Sequence, residues 1–89
     1  MKRLDLRGMR VQILYFAAFR DAVAREYQTE ELAEHATVAD LWETLVRQVP
    51  FFALFPAMPP AAVNREYVPA STALNDGDEV AFLPPVAGG

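Results

Sequence analysis

The chain has no cysteine and a single histidine, His35, among its 89 residues. Disulfides, iron–sulfur clusters, thiolate zinc sites and a cysteine nucleophile are therefore excluded, and little catalytic chemistry is left. Only eight residues are basic, they form no cluster, and the net charge is −4. The electrostatic footprint of a nucleic-acid binder is missing, so no nucleic-acid partner is expected. Without residues 1–8 the balance is five basic against eleven acidic residues, or −6, which suits a basic partner surface. Long apolar runs are also lacking. The longest stretch, residues 49–63, is cut by Pro50, Pro56, Pro59 and Pro60 and is shorter than the ~20 residues of a membrane-spanning helix. Lys2, Arg3, Asp5, Arg7 and Arg10 leave no apolar stretch of signal-peptide length. A cytoplasmic protein with no membrane partner is the expectation.

What the chain does have is apolar substance: 53% hydrophobic and 11% aromatic residues against 22% charged. That balance supports a folded core and argues against disorder. A chain of this length is one small domain that buries only roughly 60–65% of its unfolded surface, too small for a large enclosed active site. We expect an arm at residues 1–8, a domain at 9–83 and a tail at 84–89.

Residues 10–16 alternate before turning wholly apolar, with Val11, Ile13 and Tyr15 on one face and Arg10, Gln12, Leu14 and Phe16 on the other. This predicts a first strand. Residues 17–24 lack the two-residue period and leave room for a helical turn, and residues 27–32 predict a weak edge strand, spoiled by Glu30 and Glu31. Thr37 and Asp40 resemble a capping box, after which Val38, Leu41, Trp42, Leu45 and Val49 recur at helical spacing. They predict a helix over 38–48, stopped by Pro50, with Glu43 and Arg47 as an i,i+4 pair on its outer side. The proline- and phenylalanine-rich residues 50–60 predict a connector, since proline removes ladder donors. Short strands follow near 61–64 and 67–68, then an Asn75-Asp76-Gly77-Asp78 turn and a last strand over 79–83. In that strand Val80 and Phe82 face one way, and Glu79, Ala81 and Leu83 the other. Pro84-Pro85 is expected to end it and stiffen the exit, and Val86-Ala87-Gly88-Gly89 predicts a narrow, flexible tail.

This order of elements is that of a ubiquitin-like β-grasp. Ala61-Ala62-Val63-Asn64, Leu74, the run from Asp76 to Phe82, Pro84-Pro85-Val86 and Gly88-Gly89 closely resemble the small subunits of molybdopterin synthase. Phe16-Ala17 with Arg20-Asp21 is similar to that family's opening. The turn and the Gly-Gly pair are shared with related sulfur carriers. Phe82-x-Pro84-Pro85-Val86-x-Gly88-Gly89 discriminates more finely. The eight-residue arm and the bulky connector depart from the pattern.

The resemblance implies an α+β fold, with a mixed sheet of four to five strands packed on one main helix. It also implies a reactive carboxylate on Gly89, carried through a narrow channel because Gly88 and Gly89 lack a Cβ. A partner enzyme would transfer AMP from ATP to Gly89, and a sulfur donor would displace AMP to leave a thiocarboxylate. The large subunit of the synthase, expected in a heterotetramer with this one, would then use that sulfur to build the dithiolene of molybdopterin. This chain itself would bind no cofactor, ATP being used by the activating partner. Acid–base residues would belong to the large subunit.

If the first and last strands run parallel, as a β-grasp requires, their second faces both turn from polar to apolar in the same direction. Their apolar ends then coincide beside the tail and predict an exposed docking patch, which Tyr67 joins if the minor strand lies where the resemblance implies. Phe16, Tyr67, Leu83, Pro84, Pro85 and Val86 are the candidate partner-binding residues. The alternative is that Phe51, Phe52 and Phe55 fold over the patch as private core. Other residues read plainly: His35 near Glu31 and Glu34 as solvated surface with no metal, Trp42 as core, Arg20 and Asp21 as a local pair. A carrier for thiazole or tRNA thiolation shares the tail chemistry and remains open. So do a protein modifier, for which Lys2 is the only internal lysine, and a noncovalent interaction module.

Overall fold

Alternation in the first strand divides the molecule into two sides. The computed structural model describes residues 8–83. In β1 (Met9–Tyr15), Met9, Val11, Ile13 and Tyr15 are buried, while Arg10 and Gln12 are exposed and Leu14 is half-buried. Four more strands complete one mixed sheet: β2 (Tyr27–Leu32), β3 (Ala61–Val63), β4 (Glu66–Val68) and β5 (Glu79–Phe82), in the order β2-β1-β5-β3-β4. β1 and β5 are parallel, with Gln12 opposite Glu79 and Leu14 opposite Ala81. The other pairs are antiparallel. This is the β-grasp predicted from the sequence, at the upper end of the expected strand number.

The helix α2 (Val38–Gln48) lies on the buried side through Val38, Leu41, Trp42 and Leu45. Its start shows why the chain turns helical at Thr37. The Thr37 hydroxyl accepts from the Asp40 amide at 3.2 Å, and the Asp40 carboxylate accepts from the Thr37 amide at 2.9 Å. The next free donors of the first turn, the Val38 and Ala39 amides, reach the carbonyls of Thr72 and Ala70 at 3.0 Å each. Every amide that a helix start leaves unpaired is thus satisfied, and the 69–74 loop is pinned to the helix. Residues 17–24 exceed the single turn expected of them: α1 (Ala17–Val23) is anchored by the fully buried Phe19 and closed by Ala24 in left-handed geometry. The outer-side pair expected on α2 does not form, for Glu43 and Arg47 are both exposed and in no ion pair among the described residues. Solvated long side chains gain too little from such a contact to be held in it. Among the described residues Arg20 and Asp21 are likewise in no ion pair.

The connector supplies a wall of the core. Pro50–Leu54 forms a 3₁₀ helix with proline at its start, where the missing N–H costs nothing. Phe52 enters the core with ring centroids 5.1 Å from Phe19, 5.2 Å from Trp42 and 6.1 Å from Tyr15. Phe51 and Phe55 close round Phe19 from outside, at 6.2 Å and 5.3 Å. All of these rings lie on the helix side of the sheet, so the private-core alternative for the opposite face is excluded. The edge strand β2 is held to α2 by Gln28, which accepts from the Tyr15 hydroxyl at 3.0 Å and donates to Glu30 (3.1 Å) and Gln48 (3.3 Å). Burial, reinforced by the Glu30 charge and only partly opposed by Arg25, pushes the Tyr15 phenol up to about 12.

Two measurements check this account. Phe52 is 1% and Leu54 76% exposed, so Phe52→Ala should cost about 3–5 kcal/mol in urea unfolding, and Leu54→Ala less than about 0.5 kcal/mol. For Tyr15, the unfolded chain releases the phenolic proton near pH 10 and the native chain holds it to about pH 12. The native state therefore binds more protons between those values, and stability present below pH 10 is lost as pH rises through this window. Urea midpoints should fall more steeply from about pH 9 to about pH 11 in the wild type than in Tyr15→Phe.

Candidate functional site

Because opposed residues share a face, the register places one apolar row across all five strands on the side away from the helices. Tyr27 lies opposite Leu14, Leu14 opposite Ala81, Ala81 opposite Ala62, and Ala62 opposite Tyr67. One step back along β1 the face is polar, with Thr29, Gln12 and Glu79 in register. A further step back it is charged, Arg10 pairing with Glu31 at 2.9 Å. Beyond the apolar row, Phe16 and Leu83 line a shallow groove of about 380 Å³ together with Leu14, Tyr27, Ala62 and Ala81, and Arg65 and Glu79 enter it as well. Tyr67 is 74% and Phe16 42% exposed. The polar-to-apolar gradient expected from the sequence is thus present, and the two strands carry it in the same direction because they are parallel.

Phe16, Tyr67 and Leu83 are brought to this face. Pro84, Pro85, Val86, Gly88 and Gly89, and the arm at residues 1–8 but for Gly8, lie outside the described residues. Tyr27 belongs to the row and was not anticipated. Its alternation signal is blurred by Glu30 and Glu31, and the intervening α1 hides which residue of β2 meets Leu14. The side chains gathered here can bind an apolar surface but offer no catalytic set. Among the described residues no group of three or more His, Cys, Asp or Glu could hold a metal. His35 is exposed beside Glu34 at 4.0 Å, in a hollow shared with Met9 at the far end of β1. A larger, open hollow of about 660 Å³ near Arg10, Glu31 and Asp76 is polar, and its charges already serve the fold.

Asp78 fixes the entry to β5. One carboxylate oxygen accepts from the Asn64 side-chain amide at 2.9 Å and the other from the Asn75 backbone amide at 2.8 Å. Asn64 in turn accepts from the Glu79 amide at 3.0 Å and donates its own amide to the Glu79 carbonyl at 2.8 Å. Gly77, at φ 88, takes the left-handed turn position, and its amide reaches the Arg10 carbonyl at 2.8 Å. These bonds lock the β3–β4 turn and the start of β5 to β1, and hence the two strands that carry the gradient.

The ThiS family model matches residues 13–89. The molybdopterin synthase sulfur carrier subunit of Chlamydomonas reinhardtii is 37% identical over 83 residues, covering 91% of this chain and 100% of that protein. The protein of the same name from Mycobacterium tuberculosis is 39% identical over 82 residues, covering 91% and 99%. A solved Pyrococcus furiosus structure, provisionally named molybdopterin converting factor subunit 1, superposes with a TM-score of 0.79 at 34% identity, covering 88% of this chain and 99% of that one. Among the described residues no helix is long and apolar enough to cross a membrane.

The Asp78 lock is open to a direct test. Asp78→Ala should leave the Asn64 and Asn75 donors unpaired and cost about 1–3 kcal/mol in denaturant unfolding, with faster amide exchange at Asn75 and Glu79 than at Val80.

Proposed function

Because this chain belongs to the ThiS family, we propose that it is the sulfur-carrier subunit of a molybdopterin synthase. The observation that carries the reading is the position of Leu83. It lies at the apolar end of the open face, and Pro84-Pro85-Val86-Ala87-Gly88-Gly89 follows it. Six extended residues reach at most about 20 Å, so a partner seated on the apolar row would hold its active site within range of Gly89. The names of the relatives, carriers that are subunits of a synthase, support the large synthase subunit as that partner.

In this reading the Gly89 carboxylate is the reactive group. A carboxylate is a poor acyl donor and must first be activated. A carboxylate oxygen attacks the α-phosphorus of ATP on an adenylating partner, and pyrophosphate leaves. Hydrosulfide from a sulfur donor then attacks the acyl carbon, AMP leaves, and a thiocarboxylate remains. On the large subunit that sulfur attacks a carbon of the pterin precursor, displacing a leaving group there, and water cleaves the resulting thioester, leaving the sulfur on the pterin and returning the carboxylate. The ATP requirement assigns the proposed reaction to the cytoplasm. Phe16, Tyr67 and Leu83 hold the partner, Pro84, Pro85 and Val86 lead the tail into it, and Gly88 leaves room for close backbone approach.

The test is synthase turnover with purified large subunit, activating enzyme, ATP and a sulfur source. Removing Gly88 and Gly89 should leave the melting midpoint and large-subunit affinity nearly unchanged while abolishing sulfur transfer, since the carboxylate recedes by about 7 Å. Leu83→Glu should fold normally yet bind the large subunit more than about tenfold more weakly, having placed an unpaired charge in an apolar contact. Sulfur transfer sustained by the two-glycine deletion would overturn the proposal.

A further inference from the structure

The two-residue loop between β3 and β4 carries an unusual residue. Asn64 (φ 51) and Arg65 (φ 74) form the pair of left-handed positions that a type I′ hairpin turn requires. Asparagine tolerates the first and is locked there by Asp78 and Glu79. Glycine is favoured at the second, because a Cβ crowds the neighbouring carbonyl. Arginine stands there instead. Ala17, Ala24 and His35 also have positive φ, but none of them lines the groove on the open face, whereas Arg65 does.

Among the described residues nothing pairs with the side chain at the strained position. Arg65 is exposed, and among the described residues its guanidinium has no ion pair or hydrogen-bond partner. Even Glu79, which lines the same groove, does not pair with it. A left-handed backbone position that sets a cation, unpaired among the described residues, beside an apolar binding face is the pattern of a recognition residue. A chain of net charge −6 outside residues 1–8 attracts basic surfaces broadly. A lone guanidinium at the groove instead selects a partner with a carboxylate at one fixed place.

We propose that Arg65 is a specificity-determining residue of docking, taking a carboxylate of the large synthase subunit at the rim of the apolar row. The inference rests on the sulfur-carrier reading and adds the charge of the partner group. A rim charge acts mainly on the encounter, so its loss slows association more than it hastens dissociation.

The experiment measures large-subunit binding kinetics and melting midpoints for the full-length wild type, Arg65→Gly, Arg65→Asn and Arg65→Lys. Glycine and asparagine both accept the turn geometry, so their midpoints should equal or exceed that of the wild type. Both should associate about three- to tenfold more slowly at low ionic strength, the gap closing near about 0.5 M salt. Arg65→Lys should keep most of the wild-type association rate. Wild-type association in both Arg65→Gly and Arg65→Asn, with the wild type itself binding, would overturn the role of Arg65 alone. A fall in both midpoints would also overturn it, by showing that the residue serves the fold. Failure of the wild type to bind the large subunit would instead bring down the sulfur-carrier reading, and this inference with it.

Discussion

The parallel pairing of β1 with β5 is the constraint on which the rest of the molecule depends. It joins the two ends of the domain, setting Ile13 against Val80 and Tyr15 against Phe82 on the core side. Parallel neighbours need a crossover, and the chain between them supplies the helix that covers one face of the sheet. The same pairing aligns the opposite faces, so that Gln12 meets Glu79 and Leu14 meets Ala81. An antiparallel pairing of these strands would have set the polar end of one beside the apolar end of the other, and no continuous apolar row would exist.

A second condition keeps that row free. The aromatic residues that could have covered it are drawn to the other side, where Phe19, Trp42, Phe52 and Phe82 pack together. A helix with four buried residues cannot by itself roof a five-stranded sheet, and the 3₁₀ segment fills the space left beside it. The bulk of the connector is therefore accounted for as core, and the open face keeps Tyr67, Tyr27 and Phe16 exposed. Large apolar side chains left together on a small domain mark a binding surface.

Much of this was legible in the sequence. The helix over 38–48 agrees with the observed bounds because Thr37, Asp40 and Pro50 mark both ends by local chemistry. The side assignments in β1 and β5 hold because alternation is a property of the strand backbone itself. The connector was harder to read. Its prolines correctly argued against a central strand, but nothing local showed that Phe52 would be buried and Leu54, two residues on, left in water. The extent of α1 was missed for a similar reason, since Phe19 anchors that helix through rings that are distant in sequence.

Local propensity and spacing, then, settled the strands β1 and β5, the helix α2 and which side their residues take, because those depend on neighbours within a few positions. Register and assembly were decided only in the tertiary structure. Tyr27 joined the row through pairing with Leu14, and Tyr67 through Ala62. The Arg65 backbone became left-handed because the two-residue β3–β4 turn demanded it. Such features arise from contacts between distant segments, whose geometry no single stretch of sequence contains.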